Sequence, residues 1–244
     1  MSTLRVPTMA ELHALRAEGA PLGYRGIYIY LRYRAVLAAL VDAGVRAPRR
    51  VLVVGSGFGI FERLLPPDVA LTGIDVAASE VAHAAAWAAQ HRPGWRYLAQ
   101  PLAACAFAPG SFDLVILSEV IEHIPEADLP ALHAEIRRIL APGGHLLLSV
   151  PNRLTLRNRA RRLARRPLVL MDRTHLREYT LAEARAAAAA TGLAERGFRA
   201  AVLYFPYEPR VARVLAPESA WRERLANVAP ALASHFIFVL RGPA

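Results

Sequence analysis

The chain has 244 residues, 55% of them apolar, which suits one large α/β domain with an ample core. Its formal net charge is +10, yet all 30 basic residues are arginine, a usage that fits a GC-rich genome as well as any nucleic-acid role. A single cysteine, Cys105, excludes an internal disulfide framework and a cysteine metal cluster.

Residues 8–20 are expected to be helical. Gly23–Arg34 is aromatic and basic, and leads into a helical run, Ala35–Ala43, closed by Gly44. Val51–Val54 reads as the first buried strand. It enters a turn, Gly55-Ser-Gly-Phe-Gly59, whose alternating glycines let the backbone pass close to a ligand. Ile60–Leu65 is read as a helix and Leu71–Ile74 as the second strand. That strand ends at Asp75, an acid placed to accept hydrogen bonds from a ribose diol.

Ser79–Gln90 is an alanine-rich helix with a start signal at Ser79, and Trp95–Leu98 is the third strand. Phe112–Leu117 is the fourth, with the unbroken apolar character of a parallel strand covered on both faces. Asp128–Leu140 is an amphipathic helix stopped by Pro142-Gly-Gly144, and His145–Val150 is the fifth strand. A cluster of arginines follows: Arg153, Arg157, Arg159, Arg161, Arg162, Arg165 and Arg166. It reads as a solvated helix face or as a basic lid over an anionic or carrier-bound substrate. No aromatic residue interleaves with it, so nucleic acid is not the expected partner.

Thr180 with Glu183 gives the capping-box start of another helix, which Gly192 ends. Ala200–Phe205 and His235–Leu240 are the last two strands. Strands alternating with helices imply an open, doubly wound α/β sheet. The first residues lack a signal-peptide layout and no run approaches a membrane span, so the expected location is cytoplasmic.

The chemistry-bearing constellation lies just past the fourth strand, at the ligand edge of such a sheet. If Glu119, Glu122 and His123 occupy a helical turn, their i, i+3, i+4 spacing puts two carboxylates and an imidazole on one face. Without thiolates, that set suits a Mg, Mn, Fe or Zn ion. It equally suits His123 as a general base without metal, or a structural role. His175, beyond the arginine cluster, is a further candidate that a lid could return to the site. Asn152 and the N-terminal Arg25 and Tyr28 are candidates for the acceptor pocket. His13, His83, His91, His133 and His235 have no sequence neighbours that suggest ligation and read as surface or packing residues.

Four segments in order resemble the class I S-adenosylmethionine-dependent methyltransferases: Val51–Gly59, Gly73-Ile-Asp75, Gly110–Pro125 and Leu140–Asn152. The resemblance implies a mostly parallel seven-stranded sheet with the last strand antiparallel. It also implies one domain over 1–244, with N-terminal lid helices in 1–45 and an arginine-rich insertion at 153–178. It implies S-adenosylmethionine as cofactor, with Gly55, Ser56, Gly57 and Gly59 around the methionine end and Asp75 on the ribose. Val76, Gln100 and Leu102 would complete the site, with Ser118 and Glu119 beneath the methionine portion. Two departures stand out: Val53 occupies the usual place of an acid, and Gln100 opens the loop where a second acid is common.

The Glu-x-x-Glu-His run with a later histidine is similar to two metal-dependent O-methyltransferase groups, one of ubiquinone synthesis and one acting on small-RNA 3′ ends. That likeness implies Glu119, Glu122, His123 and His175 as metal ligands, and His123 and His175 as the residues that deprotonate an acceptor. The expected activity is O-methylation of a small acceptor: a sugar or glycan unit, a phenol or a quinone precursor. The alternatives are an RNA 3′-terminal ribose 2′-O-methyltransferase and a non-catalytic S-adenosylmethionine-binding module. A nicotinamide oxidoreductase would fit the glycine loop but leaves the Ser118–Pro125 segment unexplained. The oligomeric state is left open.

Overall fold

The structure is a computed structural model that describes residues 2–23, 26–203, 216 and 218–243. Its strands are β1 (Arg50–Val54), β2 (Ala70–Asp75), β3 (Arg96–Ala99), β4 (Phe112–Ser118), β5 (Leu140–Pro151), β6 (Ala194–Ala201) and β7 (His235–Arg241). They form one sheet in the order β3-β2-β1-β4-β5-β7-β6. β1 to β5 run parallel, and β7 is antiparallel to both β5 and β6. The strand order reverses at β1, which opens a crevice at its carboxyl end, flanked by β2 and β4.

Alternation along the central strands builds two cores. Val51, Val53, Leu114, Ile116, Leu147, Ile237 and Val239 face one side. Leu52, Val54, Val115, Leu117, Leu146, Leu148, Phe236 and Phe238 face the other. Because a strand's side chains alternate every residue, an unbroken apolar run serves both layers at once. The first core is covered by α1 (Met9–Gly19) and α2 (Ile27–Asp42), and in α2 Tyr30, Val36, Leu37 and Leu40 have no exposure. The N-terminal helices are therefore a layer of the fold. Arg32 of α2 reaches the strand tips, as described below. The other helices are α3 (Ala78–His91), α4 (Leu129–Ile139), α5 (Leu156–Leu163), α6 (Leu181–Ala190) and α7 (Ala220–Val228).

Several boundaries differ from those expected. α2 absorbs most of the aromatic stretch, since neither glycine nor proline interrupts Ile27–Asp42. The expected helix Ile60–Leu65 contracts to a 3₁₀ turn, Phe61–Leu64, because Pro66 forces Leu65 into extended backbone. α3 begins before Ser79, and its first turn is held by the Asp75 carboxylate, which accepts from the Ala77 amide at 2.9 Å. β5 starts at Leu140 and carries Pro142-Gly-Gly144 as a register shift against β4. β6 starts at Ala194, directly after Gly192 turns the chain with φ +72, and ends at Ala201. Tyr204 and Phe205 of the expected strand lie outside the described residues. The capping boxes of α1 (Thr8 with Glu11) and α6 (Thr180 with Glu183) are both formed. No helix among the described residues is long and apolar enough to cross a membrane.

A buried carboxyl in this frame weakens stability as pH rises toward neutrality. Glu62, in the 3₁₀ turn, has no exposure, and neither carboxyl oxygen has a hydrogen-bond partner. Burial, reinforced by the nearby charge of Asp75, pushes its pKa up from 4.5 to about 8. A raised folded pKa means its contribution is full below 4.5 and is lost as pH climbs toward about 8. At neutral pH that loss amounts to about 3 kcal/mol. Glu62→Gln is thus expected to match the wild type in urea unfolding near pH 4.5 and to exceed it near pH 8. Parallel pH profiles for the two proteins would contradict this.

Candidate active site

The glycine turn after β1 is fixed from below. Gly55, Gly57 and Gly59 have φ of +73, +51 and +68, a region that side chains with a Cβ adopt at a cost. The Gly55 and Ser56 amides donate to Ile74 O at 2.8 and 3.1 Å, which seats the turn on β2. The Gly57 amide donates to Asp75 Oδ2 at 2.9 Å, while Oδ1 takes the Ala77 amide. A carboxylate has about four lone-pair sites, so Asp75 retains capacity for a diol. Next to it Val76 is 74% exposed, an apolar perch beside an acid at a strand tip. Ser56 Oγ is buried with no hydrogen-bond partner inside the turn. These features fit a nucleoside whose polar tail enters the turn. Val53 is buried, so no acid precedes the turn. Gln100 Nε2 donates to Cys105 Sγ at 3.2 Å, and Leu102 is buried in the following 3₁₀ turn.

Beyond β4 the expected helical turn does not form at Glu119. That residue has φ +61, and a 3₁₀ turn starts only at Ile121 and runs to His123. The Glu119 side chain consequently leaves the face that Glu122 and His123 share. Its Oε1 accepts from Ser149 Oγ at 2.8 Å, and Ser118 Oγ lies 3.0 Å from that same hydroxyl. Its Oε2 lies 3.3 Å from His235 Nε2 and 3.4 Å from Arg32 Nη1. Burial opposes ionisation, but His235, Arg32 and Ser149 outweigh it and hold the carboxyl down at about 2. Glu119 is therefore committed to a buried ion cluster rather than to the predicted ligand set.

Glu122 takes the opposite course. It has no exposure and neither oxygen is hydrogen-bonded. Burial first, and the Glu119 charge second, raise its pKa well above 4.5. One carboxyl ionised and its neighbour protonated is the usual outcome of such a pair.

His123 and His175 meet beside Glu122. Glu122, His123 and His175 each offer a ligand atom, and these three atoms lie within 4.8 Å of one another. The two imidazole rings are 4.9 Å apart, edge to face, and His175 Nε2 is 4.0 Å from Glu122 Oε1. The segment carrying His175 is clamped onto the turn. Leu176 N donates to Glu122 O at 2.9 Å, and Arg177 Nη2 donates to Ile121 O and Ile124 O at 3.0 and 2.6 Å. His175 Nδ1 lies 3.0 Å from Glu178 Oε1, which also accepts from the Met171 amide.

Three residues behave differently from the sequence reading. His235, a surface or packing residue by sequence, is the direct partner of Glu119, set opposite Pro151 in the β5–β7 register. Glu178 was not singled out, although it follows His175 by three residues and holds its ring. Asn152 does lie at this edge, but its amide is consumed internally. Nδ2 donates to Ala231 O and Ala233 O, and Oδ1 accepts from the Leu154 amide. With both amide protons committed and the residue 1% exposed, it braces the strand end from within. Tyr28 is on α2, and Arg25 lies outside the described residues.

Comparison with known proteins agrees with this architecture. A family profile described as a methyltransferase domain matches residues 27–195. The ubiquinone biosynthesis O-methyltransferase of Pectobacterium carotovorum is 32% identical over 107 residues, 43% of this chain and 44% of that protein. The enzyme of the same name from Psychrobacter cryohalolentis is 36% identical over 111 residues, 44% and 42% of the two chains. The chain thus matches under half the length of these curated relatives. Among solved structures, the N-methyltransferase NodS of Bradyrhizobium japonicum in complex with S-adenosyl-L-homocysteine superposes with a TM-score of 0.61 at 17% identity, covering 96% and 98% of the chains. A putative methyltransferase of Haloferax volcanii, complexed with its Trm112 activator, gives 0.61 at 20% identity, covering 98% of each. At such identities these structures speak for the fold.

Proposed function

Because the chain belongs to the methyltransferase domain family, as a class I S-adenosylmethionine-dependent enzyme, we propose that it methylates a hydroxyl oxygen of a small acceptor such as a sugar, phenol or quinone precursor. The observation that carries this reading is the convergence of Glu122, His123 and His175 at the carboxyl end of β4, beside the glycine turn. The O-methyltransferase names of the partial relatives point the same way.

In this reading Gly55, Ser56, Gly57 and Gly59 receive the methionine end, and Asp75 takes the ribose hydroxyls. Val76, Gln100 and Leu102 border the adenine, and Ser118 and Glu119 support the floor. S-adenosylmethionine, when bound, supplies a sulfonium methyl to an incoming nucleophile. His175 receives the acceptor's hydroxyl proton on Nε2. Its Nδ1–H is held by Glu178, so the ring is kept in the tautomer that leaves Nε2 basic, and the imidazolium that forms has a carboxylate partner. His123 lines the other side of the same space and limits how the hydroxyl is presented.

The residues also fit a divalent cation. Glu122, His123 and His175 would be its ligands, and it would lower the pKa of the bound hydroxyl. With Glu122 protonated in its absence, such binding would release a proton and strengthen as pH rises. Two members of the arginine cluster are already engaged. Arg153 is paired with Glu183 at 2.7 Å, and Arg159 donates to Leu154 O and Ala231 O.

The test is turnover with isotopically labelled cofactor over a panel of hydroxylated acceptors, with and without chelator. Labelled ether product supports the reading. Its suppression by chelator and recovery with added Mg or Mn supports the metal. Cofactor binding with no product on any acceptor, or product only on RNA ends, would reject it.

A further inference from the structure

The carboxyl of Glu62 stands behind the glycine turn, fully buried, with neither oxygen hydrogen-bonded. Its neighbours fix its place. A Cβ on Gly59 would fall 2.9 Å from Tyr97 Oη. One on Gly73 would meet the Tyr97 ring at 2.5 Å and Ser56 Cβ at 3.1 Å. Tyr97 is thus pressed against the turn from β3. Burial first, and the Glu62 charge second, raise the Tyr97 phenol's pKa. Asp75, which takes the Gly57 amide at 2.9 Å, acts on Glu62 in the same sense. The carboxyl therefore lies within electrostatic reach of both Tyr97, under Gly59, and Asp75, beside Gly57.

The groups that face it give it little relief. Asp75 on β2 is a like charge, and Tyr97 on β3 is a neutral phenol. Arg63, next in the chain, favours ionisation but is itself engaged. Its Nη1 donates to Glu18 at 2.8 Å, and its guanidinium lies over the Trp87 ring at 4.3 Å. A charge set in such a place is poorly screened by water, so it acts beyond its immediate contacts. Strongly displaced acids are concentrated at functional sites. An acid that weakens the ligand-free protein as pH rises gains a counter-charge if the ligand is a cation. S-adenosylmethionine carries a sulfonium, and loss of its methyl leaves S-adenosylhomocysteine, a neutral thioether. The ammonium and carboxylate of the methionine end are the same in both.

Resting on the reading that the glycine turn and Asp75 seat the cofactor, we propose that Glu62 is a specificity-determining residue. It senses the cofactor's charge through the turn and favours the sulfonium of S-adenosylmethionine over the thioether of S-adenosylhomocysteine. In the ligand-free protein the carboxyl ionises at about 8. Below that pH it is neutral and separates the two ligands little. Above it the anion favours the cation, and product inhibition eases.

The experiment is calorimetric titration of the full chain with S-adenosylmethionine and with S-adenosylhomocysteine, at pH 6 and pH 8.5. Wild type is compared with Glu62→Gln and Tyr97→Phe, each checked for folding by circular dichroism. The quantity read is the ratio of the two dissociation constants, in which contacts common to both ligands cancel. Other ionisable groups around the site are shared by the proteins compared, so the comparison at one pH isolates Glu62. At pH 6 wild type and Glu62→Gln should give the same ratio. At pH 8.5 wild type should favour the sulfonium about tenfold more than Glu62→Gln does, as for a charge roughly 10 Å away at an effective dielectric of about 20. Tyr97→Phe removes a hydroxyl but no charge and should keep the wild-type ratio. Equal ratios in wild type and Glu62→Gln at pH 8.5 would overturn the proposal. So would a Tyr97→Phe that loses the preference as Glu62→Gln does, since packing of the turn would then be the cause. A wild type that binds neither ligand would remove the reading of the turn itself, and Glu62's role with it.

Discussion

His175→Ala is expected to lower kcat by about 10²- to 10⁴-fold, the range for loss of a positioned acid–base group, while cofactor affinity stays within a few-fold. The ring is buried and held by Glu178, and its Nε2 faces the space shared with Glu122 and His123. Removing it leaves the turn after β4 in place, because Leu176 N and Arg177 dock that segment through the backbone. The defect should therefore appear in the chemical step rather than in folding. His123→Ala is expected to fall less, since its ring is more exposed and its Nδ1 lies 3.3 Å from Thr174 O. Adding chelator separates the two mechanisms. If histidine acts as base alone, chelator leaves wild-type turnover intact. If an ion is held, chelated wild type drops to the level of the variants. Wild-type turnover in both His123→Ala and His175→Ala would remove these residues from the mechanism.

The sheet was legible because its cause is local. Val51–Val54, Leu114–Leu117 and Leu146–Leu148 are continuous apolar runs that can serve two cores only as central parallel strands. The glycine turn and Asp75 were legible because their residue types are dictated by backbone conformation and by an amide-accepting carboxylate. The convergence of His175 with Glu122 and His123 was expected from the resemblance, and the structure brings these three together. What failed to show was either a backbone break or a long-range pairing. A helical spacing argument over Glu119, Glu122 and His123 cannot see that Glu119 enters the left-handed region. The approach of His235 to Glu119 depends on an antiparallel register set 116 residues downstream, since 235 − 119 = 116. Glu178 was overlooked for a similar reason: nothing in its neighbourhood marks it as buried until the loop is folded back.

Glu119→Ala is expected to destabilise the protein by about 3 kcal/mol, the usual result of stripping one partner from a buried charge cluster. The carboxylate answers Ser149, His235 and Arg32 together. Two further variants divide the cost. Glu119→Gly keeps the positive φ without a Cβ and should regain about 1 kcal/mol over alanine, the backbone part. Glu119→Gln keeps the shape and the acceptor but removes the charge, and should retain most of the loss.

The pH dependence has a definite sign. The folded pKa is depressed from 4.5 to about 2, so the stabilisation is present above 4.5 and disappears as pH falls toward about 2. Wild type should lose more stability over that interval than Glu119→Gln does, the remainder belonging to other carboxyls held down by their partners, such as Asp113 beside Arg50. Glu62 acts in the other direction, losing stability above 4.5, so the two limbs meet there. Urea unfolding of Glu62→Gln, Glu119→Gln and the double variant across this range measures each limb separately. Acid limbs of equal depth in wild type and Glu119→Gln would mean that the ion cluster at the tip of β4 does not hold the carboxylate in its charged form.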